Sequence, residues 1–191
     1  MGEPGVTTHN FKASLALSRG YADAPWWEEI YRQAFPSFAA MAYVADDCPA
    51  QRDGVDRVVT TSGGHVYRID EKVREKDWND FFLEYWSDEG RQLRGWVAKD
   101  LGCNYIAYAF VPSRTCYLLP FQLLRCAWRR HHREWVEKFR QRRVKNAHYV
   151  TVGVPVPIDV VLKAIGEAMQ FSWAGISPAT KHKIVDISIV Q

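Results

Sequence analysis

The chain of 191 residues is predicted to fold as a mixed α/β protein of the α+β kind, and three observations carry that prediction. Hydrophobic residues make up 47% of the chain and aromatics 14%, including 8 Trp, enough to bury a core without staples. β-Branched and aromatic runs of strand length fill the middle of the chain. Apolar residues recur at helical spacing before and after those runs. A single domain spanning 1–191 is expected, with its main unit over about 24–145 and a strand–helix extension over about 146–191. The 4 Cys, at 48, 103, 116 and 126, form no CxxC and no Cys/His pair at zinc spacing, so reduced thiols are expected. No apolar run reaches the ~18–20 residues that cross a bilayer, and no signal-peptide pattern opens the chain. A cytoplasmic protein with no membrane partner is therefore expected.

Residues 1–22 show no sustained periodicity, which predicts an irregular start. Asp23 and Pro25 give a helix-start signal, with the carboxylate as cap, and Trp26, Ile30, Tyr31 and Ala34 recur at helical spacing. Pro36 is expected to kink or restart that helix toward Val44. A loop over 46–54 leads to VDRVVTT (55–61), the SGG turn (62–64) and HVYRIDEKV (65–73), together a hairpin. FFLEYW (81–86) reads as a third strand, 90–103 as an ambiguous short helix or loop, and NYIAYAFV (104–111) and CYLLP (116–120) as a fourth and fifth. A long helix is expected from Phe121 to Val144, then a strand over 148–157, a helix from Pro157 to Gln170, and a short alternating strand in the final HKIVDISIVQ segment.

The chemistry sits on the hairpin. Asp70 and Lys72 are two apart on a strand, so both side chains leave the sheet on one side, about 6–7 Å apart. Asp56 comes from the strand paired through the turn. Hydrolysing a phosphodiester calls for hard oxygen ligands that hold Mg²⁺ (or Mn²⁺) and a means of activating water. Two carboxylates provide the first, and Lys72 would orient or deprotonate the water and offset charge in the transition state. The competing explanation is the solvated face of a half-buried strand carrying a chance ion pair. Glu84, between Leu83 and Tyr85 on an apolar strand, is costly to bury unpaired and is a candidate addition to the site; exposure on an edge strand explains it as well.

GVDRVV (54–59), a tight turn and RIDEKV (68–73) resemble the core motif of the PD-(D/E)xK, restriction-endonuclease-like, nuclease superfamily. Asp70-x-Lys72 stands at the (D/E)xK position and Asp56 at the first Asp, while Val55 replaces the motif's Pro. NYIAYAFVPSRTCYLLPFQLLR (104–125) is similar to a passage in small phage and prophage members. The resemblance implies a central mixed sheet flanked by helices, a metal-dependent nuclease activity with Asp56 and Asp70 as metal ligands, and one of Glu28 and Glu29 on the first helix as an auxiliary ligand. It also makes a homodimer an option for cutting both strands.

The net charge of +3 is modest, but from Arg125 to Lys145 nine basic residues stand against two acidic ones. Arg125, Arg129, Arg130, Arg133, Lys138, Arg140, Arg142 and Arg143, interleaved with Trp128 and Trp135, are the expected nucleic-acid contacts, with a solvated helix face as the alternative. His131 and His132 point about 100° apart on a helix and make a poor chelating pair. No Walker loop, GxGxxG fingerprint or Ser/His/Asp order is present. The expected function is a Mg²⁺-dependent nuclease acting on DNA. The alternatives are a module that holds nucleic acid or protein without catalysis, and an accessory or inhibitor protein of a mobile element.

Overall fold

The computed structural model describes residues 7–8, 20–44, 48–166, 168–174 and 188–190. In chain order the elements are β1 (Thr7–Thr8), α1 (Trp26–Ala34), β2 (Phe38–Tyr43), α2 (Pro49–Arg52), β3 (Arg57–Thr61), β4 (Val66–Arg74), β5 (Asp80–Asp88), β6 (Leu93–Arg94), β7 (Tyr105–Phe110) and β8 (Thr115–Pro120). They continue with α3 (Phe121–Lys138), β9 (Arg142–Lys145), β10 (Val150–Pro157), α4 (Ile158–Ile165), β11 (Ala168–Ser172) and β12 (Ser188–Val190). The fold is mixed α/β. A seven-stranded sheet runs β12-β11-β8-β7-β4-β3-β2, and a five-stranded one runs β1-β9-β10-β5-β6. Most of the irregular start expected over 1–22 and most of the final segment lie outside the described residues.

The expected hairpin is β3–β4, antiparallel with Arg57 opposite Ile69 and Val58 opposite Arg68. β4 then pairs in parallel with β7, from Ile69–Tyr105 to Arg74–Phe110. Parallel neighbours need a crossover of a dozen or more residues, usually a helix. Here the crossover carries β5 and β6, and β5 joins the smaller sheet by pairing with β10 from Trp86–Val152 to Asp80–Pro157. The third predicted strand thus exists but does not continue the sheet of the hairpin.

Two cores lie on the two faces of the large sheet. Ile69, Ala107 and Ala109 pack with Trp27, Ile30, Tyr31 and Phe35 of the α1 side. Ile106, Tyr108 and Phe110 pack with Phe81 and Leu83 of β5, Val154 and Val156 of β10, and Leu124, Trp128 and Trp135 of α3. The central strands are therefore covered on both faces.

Four expected boundaries move, each for a local reason. Helix α1 starts at Trp26 with Pro25 in the cap position and no side-chain cap, so Asp23 does not serve as one. Pro36 ends the helix instead of restarting it: the residue before a proline is pushed to extended backbone, as Phe35 is at φ −122° and ψ 91°, and 38–43 pairs as an edge strand with β3. Helix α3 stops at Lys138, Phe139 turns extended, and 142–145 pairs with β10. Gly166, at φ 71°, closes α4 with a left-handed residue, so 168–172 becomes β11 beside β8. Past residue 145, β10 pairs with β9 and β5 in the smaller sheet, and β11 pairs with β8 in the larger one. No helix among the described residues is long and apolar enough to cross a membrane.

Candidate active site

β4 outruns its hairpin partner. β3 pairs with β4 only over Val66–Ile69, while β7 accompanies β4 as far as Arg74. Beside the unpaired edge at 71–74 opens a cleft of about 470 Å³, lined among others by Asp56, Glu71, Lys72, Arg74 and Glu84.

Asp56 precedes β3 by one residue, so the hairpin register sets it opposite Asp70. Its backbone N–H donates to the Ile69 carbonyl at 2.9 Å, and its Oδ2 accepts from the Glu71 N–H at 2.8 Å. Asp70 and Lys72 do share one side of β4, next to Ile106 and Tyr108 of β7, and they form an ion pair. That side is not the wet face of the competing explanation: Asp70 is 2% exposed, and its Oδ2 has no hydrogen-bond partner. Burial pushes the Asp70 carboxyl up to about 7, against the pull of the Lys72 ammonium and with Asp56 adding to the rise. Burial works to lower the pKa of Lys72, but Asp70 and Asp56 outweigh it and the net shift is upward.

Glu84 reaches the same cleft from β5, in the other sheet. Burial raises its carboxyl, and Lys72 and Lys99 pull it back. Its backbone is pinned by Gly95, whose N–H bonds the Tyr85 carbonyl at 2.7 Å; a Cβ on Gly95 would fall 2.4 Å from the Glu84 carbonyl oxygen. Only glycine allows the chain to cross β5 so closely.

Glu28 and Glu29 are placed elsewhere. On α1 the residues turned toward Glu71 and the cleft are Tyr31 and Trp27; helical phase puts Glu29 on the opposite side and Glu28 on the flank, and neither lines the cleft. Glu28 pairs with Arg32 at 2.6 Å, and Glu29 accepts from the Ala174 N–H at 3.2 Å.

The basic segment is split between α3 and β9. Arg125 is turned inward to Asp100 at 2.5 Å. Arg129, Arg130, Arg133, Lys138 and Arg140 are exposed. Arg142 and Arg143 lie on β9, where Arg143 pairs with Glu89 at 2.8 Å. Trp128 and Trp135 are core residues, 6% and 2% exposed, and are not surface aromatics among the cations.

A buried network beside the site was not singled out from the sequence. Arg57 Nε donates to Glu71 Oε1 at 2.9 Å, and the Tyr31 hydroxyl donates to the same oxygen at 2.7 Å. Arg57 Nη2 also donates to the Ala22 carbonyl at 2.5 Å. The signal was available: Glu71 alternates with Ile69 and Val73 on an apolar face, where a carboxylate needs a partner.

Asp56 and Asp70 offer the hard oxygen donors that Mg²⁺ takes, and the unpartnered Asp70 Oδ2 is an acceptor that such an ion satisfies. Among the described residues no group of three His, Cys, Asp or Glu is arranged to hold a metal. Mg²⁺ commonly uses one or two carboxylates with water and substrate oxygens completing its shell, so the donor set fits it. No family model, curated protein or solved structure matches this chain.

The elevated Asp70 carboxyl has a consequence for stability without metal. Its folded value, about 7, lies above the ordinary carboxylate value, so between pH 4 and 7 the unfolded chain releases a proton that the folded chain keeps. The contribution is fully present below about pH 4 and is lost as pH rises through about 7. In EDTA, Asp70→Asn is expected to gain stability relative to the parent between pH 5 and pH 8, read by urea unfolding. A difference that does not change with pH would refute the assignment.

Proposed function

We propose that this chain is a Mg²⁺- or Mn²⁺-dependent phosphodiester hydrolase acting on nucleic acid, DNA foremost. One observation carries the reading: Asp56 and Lys72 line one cleft, and the buried Asp70 directly behind them pairs with Lys72 while one of its carboxylate oxygens has no hydrogen-bond partner. Asp56 and Asp70 would hold the metal, which when bound stabilises charge on the phosphate oxygens and makes hydroxide accessible near neutral pH. Lys72, with its raised pKa, carries its proton at neutral pH, so it is suited to orienting the attacking water and offsetting phosphate charge. When the Asp70 charge is compensated, the shift that holds that proton shrinks. Glu84 acts on Lys72 electrostatically from the facing sheet and adds to the field that holds its proton. The exposed cations of α3 supply contacts to the phosphate backbone, which carry affinity without sequence preference.

The test is cleavage of single-stranded, duplex and branched DNA and of RNA with Mg²⁺ or Mn²⁺ against EDTA, together with calorimetric titration of the metal. No cleavage and no divalent binding would end the proposal. Glu84→Gln is expected to lower the cleavage rate about 10- to 100-fold, the usual cost of losing a group that orients a site residue. An unchanged rate would remove Glu84 from the site.

The closed Asp70–Lys72 ion pair favours a second reading, a module that holds nucleic acid or protein without catalysis. Mutation of Lys72 separates the two.

A further inference from the structure

Arg74 lies two residues beyond Lys72 on β4, on the same side of the strand and about 6–7 Å further along. It lines the cleft, and its guanidinium carbon sits 4.8 Å from the centroid of the Trp78 ring and 5.7 Å from that of Phe82. One guanidinium nitrogen, Nη2, is buried with no hydrogen-bond partner. A buried donor left unpaired is costly, and a fork held between rings is already shaped for a phosphate. Arg142, from β9 in the smaller sheet, brings its guanidinium to 4.8 Å from the same Trp78 ring. Trp78 keeps 48% of its surface exposed, which is unusual for so large an apolar side chain.

The nearby acid, Asp80, forms a long ion pair with Arg142 and also feels Arg74, but it compensates only one of the two positive charges. Asp80 Oδ2 stands 3.8 Å from Arg142, beyond hydrogen-bond length, and its Oδ1 has no hydrogen-bond partner, so it does not bond Arg74. One carboxylate against two guanidiniums leaves net positive charge beside a half-exposed aromatic ring.

We propose that Arg74, Trp78 and Arg142 form a subsite for single-stranded nucleic acid next to the Asp56–Asp70–Lys72 centre. The guanidiniums take the neighbouring phosphate, and the exposed Trp78 ring stacks on its base. In a duplex the bases are already stacked and paired, so only an unpaired strand offers a free base face to Trp78. The inference rests on the proposed function for its substrate class and goes beyond it in selecting single strands or unpaired ends.

Binding is measured with the full chain in EDTA, by fluorescence anisotropy of a labelled oligothymidylate of about ten nucleotides, within the usual site size, and of a blunt duplex. Trp78→Ala is expected to weaken single-strand binding about 5- to 100-fold, the range for one lost stack, with Trp78→Phe close to the parent. Arg74→Ala is expected to weaken it about 10-fold and to flatten its salt dependence by about one phosphate contact, with Arg74→Lys in between. Duplex binding stays within about twofold in the two Trp78 variants, since no base stack is lost there, while Arg74→Ala, which removes a phosphate contact, weakens binding of both substrates. Superposable urea unfolding curves establish that each variant is folded. Equal losses on single strand and duplex in Trp78→Ala, or no loss on either in Trp78→Ala or Arg74→Ala, overturn the proposal. A chain that binds single strands through Trp78 but cleaves nothing upholds the subsite and defeats the hydrolase. A chain that cleaves with Mg²⁺ at a KM indifferent to Arg74 and Trp78 does the reverse.

Discussion

Lys72→Ala is expected to reduce Mg²⁺-dependent cleavage by about 10³-fold, within the range for losing a group that positions or transfers a proton in the transition state. Oligonucleotide binding should stay near the parent value, because the exposed cations of α3 and the Arg74 edge remain. The physical basis is the ion pair with Asp70 and the proximity of Asp56, which together keep an ammonium at the cleft. Lys72→Arg retains the charge but replaces a compact ammonium by a planar fork, and it is expected to recover less than a tenth of the lost rate. Single-turnover cleavage on saturating substrate gives the measurement. A parent-like rate in Lys72→Ala would favour the binding module.

The second large effect is on stability. Glu71→Ala is expected to cost about 3–5 kcal/mol, because it strands the Arg57 charge in the protein interior. Arg57 and Glu71 side chains are only 5% and 7% exposed, so water cannot replace the missing partner. The intact pair still need not stabilise the fold, since taking both charges out of water offsets most of their attraction. Arg57→Met combined with Glu71→Leu should therefore recover most of the loss, and Tyr31→Phe should cost about 1 kcal/mol for its single hydrogen bond. Urea unfolding at pH 7 would distinguish these. A loss below about 1 kcal/mol in Glu71→Ala would mean that Arg57 reaches solvent when its partner is gone.

The hairpin was legible because its signals are local: a β-branched run, a glycine turn and an alternating strand lie within 55–73. The same alternation correctly put Asp70 and Lys72 on one side of β4. It could not tell which side of the strand is wet, since that depends on β5, β10 and α3 packing over it. Glu84 could be flagged as an odd carboxylate on an apolar strand, but only the tertiary pairing of β5 with β10 brings it to the cleft that Lys72 lines. The helix expected to continue past Pro36 toward Val44 gives way to a strand at 38–43: Ala39, Ala40 and Ala42 favour helix, but edge pairing with β3 overrides that preference. The basic stretch read as one helix because charge gives no phase once the apolar spacing fades; β10 claimed its last residues as a strand. Nothing in the sequence announced that β3 stops short of Lys72, and that shortfall makes the cleft.

The order of strands in the smaller sheet also bears on how the protein matures. β5 carries Glu84, and its long partner β10 is translated more than sixty residues later. A nascent chain that has emerged only as far as β9 can form the hairpin, but β5 still lacks the neighbour that fixes it over Lys72. Loop-closure entropy sets in before that distant pairing rewards it, so the charged residues on the hairpin and Glu84 on β5 meet late in folding. Synthesis arrested before Val150 would leave Asp56, Asp70 and Lys72 on a strand whose cover still lacks β10, until about the last fifth of the chain arrives.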